Sequence, residues 1–245
     1  MRSISLIFAF FVLFAAGPLS AQGATKPKAA VAAKPAAATA TPAAAAPQVA
    51  AAPVEAAATD DKTKAIVEGF RSAKFGMNEA DIRAAITKDF AAKAEAIKTQ
   101  DNPAELTHSL LVTVPDLLPN GGTAEVSYVL GYKSKTLIQV GAVWSKTTDA
   151  AITPERLFSD ANILRAHFMT EGFKPDTVAV NTPVNGGLLM FRGSDAKDRS
   201  VMLLLQGTFE TKENNQRVLT PTGLLLFYVA DAKSPDVFKL PPGQF

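Results

Sequence analysis

The sequence predicts an α+β fold in which helices pack on one face of an antiparallel sheet. Two helix starts with the same capping pattern occur, and each is followed by short strand-like segments at hairpin spacing. Single helices followed by hairpin-connected strands are typical of layered α+β domains. Because the same order of elements occurs twice, we expect a tandem duplication of one helix-plus-strands unit, with repeats at 69–146 and 147–231.

The first 21 residues have the features of a secretory signal peptide. Arg2 supplies the positive charge, residues 4–16 form the apolar core, and the segment 19–21 ends in a small residue just before the expected cleavage. The core of about 13 residues is shorter than the roughly 20 that a membrane-spanning helix needs. We therefore expect a periplasmic or secreted protein that is cleaved after Ala21. The chain would contact the membrane only if this segment stayed uncleaved.

Residues 22–60 are rich in alanine and proline, and the prolines prevent a long helix. The prolines concerned are Pro27, Pro35, Pro42, Pro47 and Pro53. We interpret this stretch as a disordered linker that leads to one globular domain over residues 61–245. That domain is long enough to bury a core of its own.

Composition excludes several classes of function. The chain contains no cysteine, which removes disulfides, thiolate chemistry and the acylation site of lipoproteins. The formal net charge of the whole chain is +2. Residues 1–59 contribute +3, so the remaining residues have a net charge of −1. A nearly neutral domain without a basic stripe is not typical of nucleic-acid binding, so we expect no nucleic-acid partner.

The first predicted helix runs from Glu79 to Phe90. Asn78 is a favourable N-cap, and the apolar residues Met77 and Ile82 flank it as a hydrophobic staple. Apolar residues then recur at helical spacing and predict one buried stripe. The stripe consists of Ile82, Ala85, Ile86 and Phe90.

The second predicted helix starts by the same chemistry. Thr153 is the N-cap, Pro154 occupies the first helical position, and Ile152 and Leu157 form the staple. Gly172 and the following proline end the helix. The predicted buried stripe consists of Leu157, Ala161, Leu164 and Phe168.

Strand-like segments follow each helix. They lie at 107–114, 124–132 and 136–145 after the first helix, with a turn at 133–135, and at 177–183, 188–193, 200–209 and 223–230 after the second. An Asn-Gly-Gly turn precedes a hairpin in each half, at 120–122 and 185–187. The offset that aligns these turns also aligns Trp144 with Phe209, which favours a duplication.

Two of the predicted strands are apolar on both faces, at residues 202–205 and 224–229. A sheet covered by helices on one side normally alternates apolar and polar residues along each strand. Two interpretations stay open. The strands could be central and covered by loops, by residues 61–70 or by residues 237–245, or one of their faces could be a binding surface or a dimer interface.

Residues 75–77 (FGM), the cap residue Asn78 and the aliphatic Ile82 resemble a known helix start. It is shared by β-lactamase-inhibitor-protein-like domains and by the SmpA/OmlA-like outer-membrane assembly lipoproteins. In those families a small helical element packs on an antiparallel sheet, and the inhibitor proteins carry the unit twice in tandem. The resemblance therefore implies a tandem α+β fold. It implies no particular partner, because shared folds host different functions.

The sequence contains no recognisable catalytic, metal-binding or nucleotide-binding motif. The two histidines, His108 and His167, lack the spacing of metal ligands. Asp195 and Asp198 could face an ion, but basic neighbours within the same predicted turn are ready partners. We therefore expect no catalytic residue, no metal and no cofactor, and we favour a protein that is not an enzyme.

These observations favour an exported, non-catalytic protein of the cell envelope. It would act as a binding, assembly or adaptor module that contacts another envelope protein, or a second copy of itself, through the sheet. The alternative is a periplasmic small-ligand binder or hydrolase with a site between the two halves. Its candidate binding surface is formed by aromatic residues, which suit a sugar or an apolar ligand but are more often part of a core. These residues are Tyr128, Tyr132, Trp144 and Tyr228.

Overall fold

The structure is a computed structural model that describes residues 65–212, 217–240 and 243. The predicted signal peptide at 1–21 and the predicted linker at 22–60 lie outside the described residues. The same holds for the first four residues of the predicted domain.

The described part of the chain contains two helices and ten strands, which confirms the mixed α+β class. Short 3-10 turns at Ala94–Ala96 and Pro175–Thr177 precede the third and seventh strands. In chain order the elements are β1 (Gly69–Phe70), β2 (Ala73–Lys74), α1 (Glu79–Phe90), β3 (Lys98–Asn102), β4 (Thr107–Val114), β5 (Ala124–Leu130), β6 (Leu137–Ser145), α2 (Pro154–Thr170), β7 (Ala179–Val184), β8 (Gly187–Ser194), β9 (Ser200–Thr211) and β10 (Arg217–Val229).

Strands β3 to β10 form one eight-stranded antiparallel sheet in the order β3-β4-β5-β6-β10-β9-β8-β7. Strands β3–β6 make one meander and β7–β10 a second. The two meanders join through β6 and β10, which pair over seven residues from Gly223–Ser145 to Val229–Gln139. A helix and a 3-10 turn precede each meander, so the order of elements recurs in the two halves.

The two Asn-Gly-Gly turns do not occupy equivalent places in this order. Residues 120–122 lie between the second and third strands of the first meander, whereas 185–187 form the turn between the first and second strands of the second meander. Trp144 lies on β6, and Phe209 lies on β9 instead of on β10, which is the counterpart of β6. The predicted sequence offset is therefore wrong as an alignment of structural elements.

Both helices begin at the predicted caps. The Asn78 side chain accepts a hydrogen bond from the Asp81 N–H at 3.0 Å, and the Thr153 hydroxyl accepts one from the Arg156 N–H at 3.2 Å. The predicted stripes are buried except for Phe90, which is half-buried beneath the Arg71 guanidinium. Local capping and apolar spacing thus determine where each helix lies and which face it buries.

Both helices pack on the same face of the sheet. Their buried side chains form one cluster with alternate strand residues such as Val126 and Leu226. The segment that precedes α1 also lies on this face, where Phe70 packs on Tyr228 with ring centroids 5.4 Å apart. The segment after β10 instead runs along the strand ends, where the Asp236 carboxylate accepts hydrogen bonds from two backbone N–H groups of the β5–β6 turn.

Candidate functional site

The face of the sheet opposite the helices, here called the distal face, carries an apolar strip. Three residues of the central strand β10 form a hydrophobic cluster that is separate from the helix-side core. Residues of the neighbouring strands β6 and β9 pack against this cluster. The distal strip is defined as Val143, Met202, Leu204, Leu225, Phe227 and Val229.

The register of the strands arranges the distal strip in rows. Val143, Leu225 and Leu204 stand directly opposite one another across β6, β10 and β9. In the next row, a Cβ added at Gly141 would lie 3.2 Å from the Phe227 ring. The absence of a side chain at Gly141 therefore lets this ring approach the backbone of β6 closely.

Polar residues flank the distal strip on the β5 side, and the β8 side carries one polar and one apolar neighbour. Glu125 and Ser127 of β5 stand opposite β6 residues of the distal face. On the other side, β8 places Arg192 opposite Met202 and the apolar Leu189 opposite Leu204. These flanking residues are partly exposed. The rim of the distal strip is therefore polar in part, and a polar rim around an apolar centre is typical of protein–protein interfaces.

The two edges of the sheet are poorly suited to the addition of another strand. The edge strand β3 is short and polar, with the sequence KTQDN. The edge strand β7 contains Pro183, which has no N–H to donate, and Asn181, whose φ of 50° interrupts the extended conformation. Such features protect edges from pairing. A partner that contacts the sheet would therefore use its face.

The four aromatic residues of the predicted binding surface lie in different environments. Tyr128 and Trp144 are buried on the helix side, with 0% and 1% of their surface exposed. Tyr228 is half-buried against Phe168, and burial raises the pKa of Tyr228 to about 12, with a further contribution from a nearby glutamate. Tyr132 lies in the β5–β6 turn beside the C-terminal segment. The structure does not bring these four side chains together on one surface.

The boundary between the two meanders is closed by the β6–β10 ladder. The helix-side core continues beneath it and includes Trp144 and Leu224. Two surface cavities of the described residues lie away from this boundary. One, of about 480 Å³, is lined by Glu79 and His108 among others, and the second, of about 560 Å³, lies beside Tyr132.

The two histidines lie apart, and each contacts a carboxylate of its own chain. His108 Nδ1 lies 2.6 Å from an Asp101 oxygen, and His167 Nε2 lies 3.6 Å from a Glu171 oxygen. Within residues 65–212, 217–240 and 243, no group of three or more histidine, cysteine, aspartate or glutamate side chains is arranged to hold a metal ion.

Asp195 and Asp198 have partners within the chain. Asp195 is 2% exposed and lies 2.7 Å from the Arg199 guanidinium. Asp198 lies between the ammonium groups of Lys174 at 2.6 Å and Lys233 at 2.9 Å, and these two lysines lower the pKa of Asp198 to about 2. Because basic groups of the chain already occupy both carboxylates, the geometry favours a structural role for this turn.

Asp160 of α2 is a buried carboxylate that sequence reasoning missed. It is 1% exposed, and its Oδ2 atom is buried without a hydrogen-bond partner among the described residues. This oxygen lies beside the β4–β5 loop, 3.4 Å from the position of a Cβ added at Gly121. The available signal was its spacing from Leu157 and Leu164, which places it next to the buried stripe.

We expect Asp160→Asn to raise the melting temperature at neutral pH. Burial raises the pKa of Asp160, and Arg156 offsets part of that effect. The Asp160 carboxyl group therefore ionises at a lower pH in the unfolded chain than in the folded protein. The folded state consequently loses stability as the pH rises above about 4. Thermal melts of both proteins between pH 3 and pH 8 measure the effect. The gain should shrink toward pH 3, and a gain of equal size at both ends of the range would contradict this account.

No protein-family model, curated protein or solved structure matches the chain. The resemblance of residues 75–82 to the helix start of the inhibitor-like and lipoprotein families stays a prediction. In the part of the chain that the structure describes, neither helix is long and apolar enough to cross a membrane. Function must therefore be inferred from the geometry of the distal face.

Proposed function

We propose that the chain is an exported, non-catalytic protein of the cell envelope that binds another protein through the distal face of its sheet. The observation that carries this proposal is the distal strip, an apolar centre on β6, β10 and β9 that is bordered by Glu125 and Ser127 on one side and by Arg192 and Leu189 on the other. Burial of apolar surface is the main driving force of protein association. The β10 residues of the strip are buried, and its partly exposed members are Val143, Met202 and Leu204. Apolar side chains that remain accessible on a sheet face are candidates for an interaction site.

The polar groups of the described residues support a binding role over a catalytic one. Catalysis requires reactive groups that converge on a cavity of substrate size. Asp195 and Asp198 instead engage basic groups of their own chain, and the aromatic residues Tyr128 and Trp144 belong to the core. The alternative of a ligand site between the halves gains no support from the closed β6–β10 boundary.

We further propose that the two helix-plus-meander units, at 69–146 and 147–231, arose by tandem duplication. The recurring order of helix, 3-10 turn and four strands supports this origin, as does the junction of the meanders through their last strands. The first unit contributes β6 to the distal strip, and the second contributes β9 and β10. The joined sheet would then present a binding surface that neither unit has by itself.

Site-specific photocrosslinking in the cells that make the protein tests the proposed function. A photoreactive amino acid at Leu204 or Val143 is expected to yield an ultraviolet-dependent adduct with a partner protein, which mass spectrometry identifies. The matched control is the same amino acid at Ile163, which is 59% exposed on the outer side of α2. No adduct from either strip position, or equal adducts from Ile163, would rule out the distal face as the binding surface.

A further inference from the structure

We propose that Asn185, in the turn between β7 and β8, is a site of spontaneous deamidation, which converts it to aspartate and isoaspartate. The inference is independent of the proposed function, since it involves neither the distal face nor a partner. Asparagine is a thermally labile residue, and it is most labile before glycine, which has no side chain to hinder the reaction of its backbone nitrogen. The chain contains two Asn-Gly pairs, Asn120–Gly121 and Asn185–Gly186.

The reaction needs only the chain and water. The backbone nitrogen of Gly186 attacks Cγ of the Asn185 side chain, and a new C–N bond forms. The bond from Cγ to the side-chain nitrogen breaks, and ammonia leaves with the proton of the Gly186 N–H. Water then opens the resulting succinimide ring at either of its two carbonyl carbons. The products are aspartate and isoaspartate, and the net change is one water consumed and one ammonia released.

The structure leaves the Asn185–Gly186 pair free to react. Val184 pairs with Gly187, so Asn185 and Gly186 form a two-residue turn at the end of the edge strand β7. Both turn residues are exposed, and a Cβ added at Gly186 would have no atom within 4 Å. Among the described residues, no hydrogen bond engages the Gly186 N–H. The attacking nitrogen is therefore open to solvent, and an exposed edge turn can change its dihedral angles at little cost.

The Asn120–Gly121 pair lies in a closed environment. Asn120 is exposed like Asn185, but the Gly121 N–H donates a hydrogen bond to the Leu118 carbonyl oxygen at 2.8 Å. Gly121 is buried, and a Cβ added there would lie 2.7 Å from Leu118 Cβ and 3.4 Å from Asp160 Oδ2. The reaction at Asn120 must first break a hydrogen bond and displace packed atoms. We therefore expect Asn185 to react faster than Asn120 by about tenfold or more.

The β7–β8 turn also holds the start of the projecting part of β9. The Gly186 carbonyl oxygen accepts a hydrogen bond from the Gly207 N–H at 3.0 Å. Gly207 lies where β9 extends past β8, because the pairing of these two strands ends at Gly187 and Gln206. Isoaspartate adds one carbon atom to the backbone of the turn and displaces the Gly186 carbonyl group. Aspartate leaves the backbone unchanged and adds one negative charge. The isoaspartate form is therefore expected to release the Gly207 N–H.

Peptide mapping of the full chain by mass spectrometry, after incubation at 37 °C and pH 8, tests this inference. The peptide that contains Asn185 is expected to gain one dalton, because a hydroxyl group replaces the amino group of the side-chain amide. The peptide that contains Asn120 should gain it about tenfold more slowly. Asn185→Gln should abolish the rapid gain, since its longer side chain does not form the succinimide ring.

Incubation of the same chain in urea is the matched control. Both sites have the sequence Asn-Gly-Gly, so they should react at similar rates once the chain is unfolded. A folded chain in which Asn185 is as stable as Asn120 would overturn the inference. The same preference for Asn185 in the folded and the unfolded chain would also overturn it, because the fold would then make no difference.

Hydrogen exchange at Gly207 tests the structural consequence. Exchange should become faster in the incubated protein as isoaspartate accumulates, which enzymatic methylation of isoaspartate quantifies. It should stay unchanged in Asn185→Asp, which carries the new charge on a normal backbone. Unchanged exchange at Gly207 in a protein rich in isoaspartate would overturn the connection between this turn and β9.

Discussion

Replacing Asp195 with alanine is expected to lower the free energy of unfolding by about 3–5 kcal/mol, the usual cost of removing one partner of a buried ion pair. The Asp195 carboxylate is almost completely buried. It accepts hydrogen bonds from the backbone N–H groups of Val67, Lys197 and Arg199 and from the Arg199 side chain. The variant leaves these donors unpaired and leaves Arg199, whose side chain is only 16% exposed, without its counter-charge.

The ionisation of Asp195 predicts how this effect depends on pH. Burial by itself would raise the pKa of Asp195, but the hydrogen bonds from Val67, Arg199 and Lys197 together lower it. A carboxyl group with a lowered pKa in the folded state stabilises the fold above its unfolded pKa of about 3.9, and this contribution is lost as the pH falls further. The difference in the free energy of unfolding between the wild-type protein and Asp195→Ala should therefore become smaller below about pH 4.

Urea unfolding at pH 7, extrapolated linearly to water, measures the loss of stability. The matched control is Asp198→Ala in the same turn, whose exposed carboxylate contacts Lys174 and Lys233. Exposed ion pairs contribute little to stability, so Asp198→Ala should lose much less stability than Asp195→Ala. Asp195→Ala should also speed hydrogen exchange at Val67, where Asp195 holds the segment that leads into the sheet. Equal losses for the two variants would contradict a special role for Asp195.

Elements governed by local chemistry could be predicted from the sequence. Each helix cap joins residues three positions apart, as in Asn78 with Asp81, so its signal is contained in a short stretch. The boundaries of β4 match the predicted 107–114, because this segment is rich in the β-branched and apolar residues that favour strands. The strand β3 was missed because its sequence, KTQDN, has no apolar residue to reveal the alternation.

Features governed by pairing between distant strands could not be predicted. The contact between β6 and β10 joins residues that are far apart in the sequence, and no local pattern specifies it. The face on which each strand residue lies depends on this pairing. Trp144 therefore belongs to the helix-side core and Val143 to the distal strip, although the two are adjacent in the chain. The predicted surplus of apolar strand residues was real, but the sequence does not reveal which of them share a surface.

Replacing Phe168 with alanine is the second change with a large expected effect, about 3–5 kcal/mol of lost stability for a buried aromatic residue. Phe168 is 4% exposed, and its ring stacks on Phe191 with centroids 5.4 Å apart. Neighbouring aromatic rings limit how far the site can collapse to fill the cavity. Gly193 keeps this cluster tightly packed, because a Cβ there would lie 2.7 Å from the Phe173 ring.

Phe158→Ala on the same helix is the matched control, because Phe158 is 41% exposed. Phe158→Ala should lower the free energy of unfolding by no more than about 0.5 kcal/mol, as for most surface positions. Equal losses of stability for the two variants in urea unfolding would contradict the assignment of Phe168 to the core. The same pair of variants separates folding from binding. Phe168 lies on the helix side, so at temperatures where Phe168→Ala stays folded, photocrosslinking from Leu204 should continue. Loss of the adduct from a fully folded variant would mean that the helix side also contacts the partner.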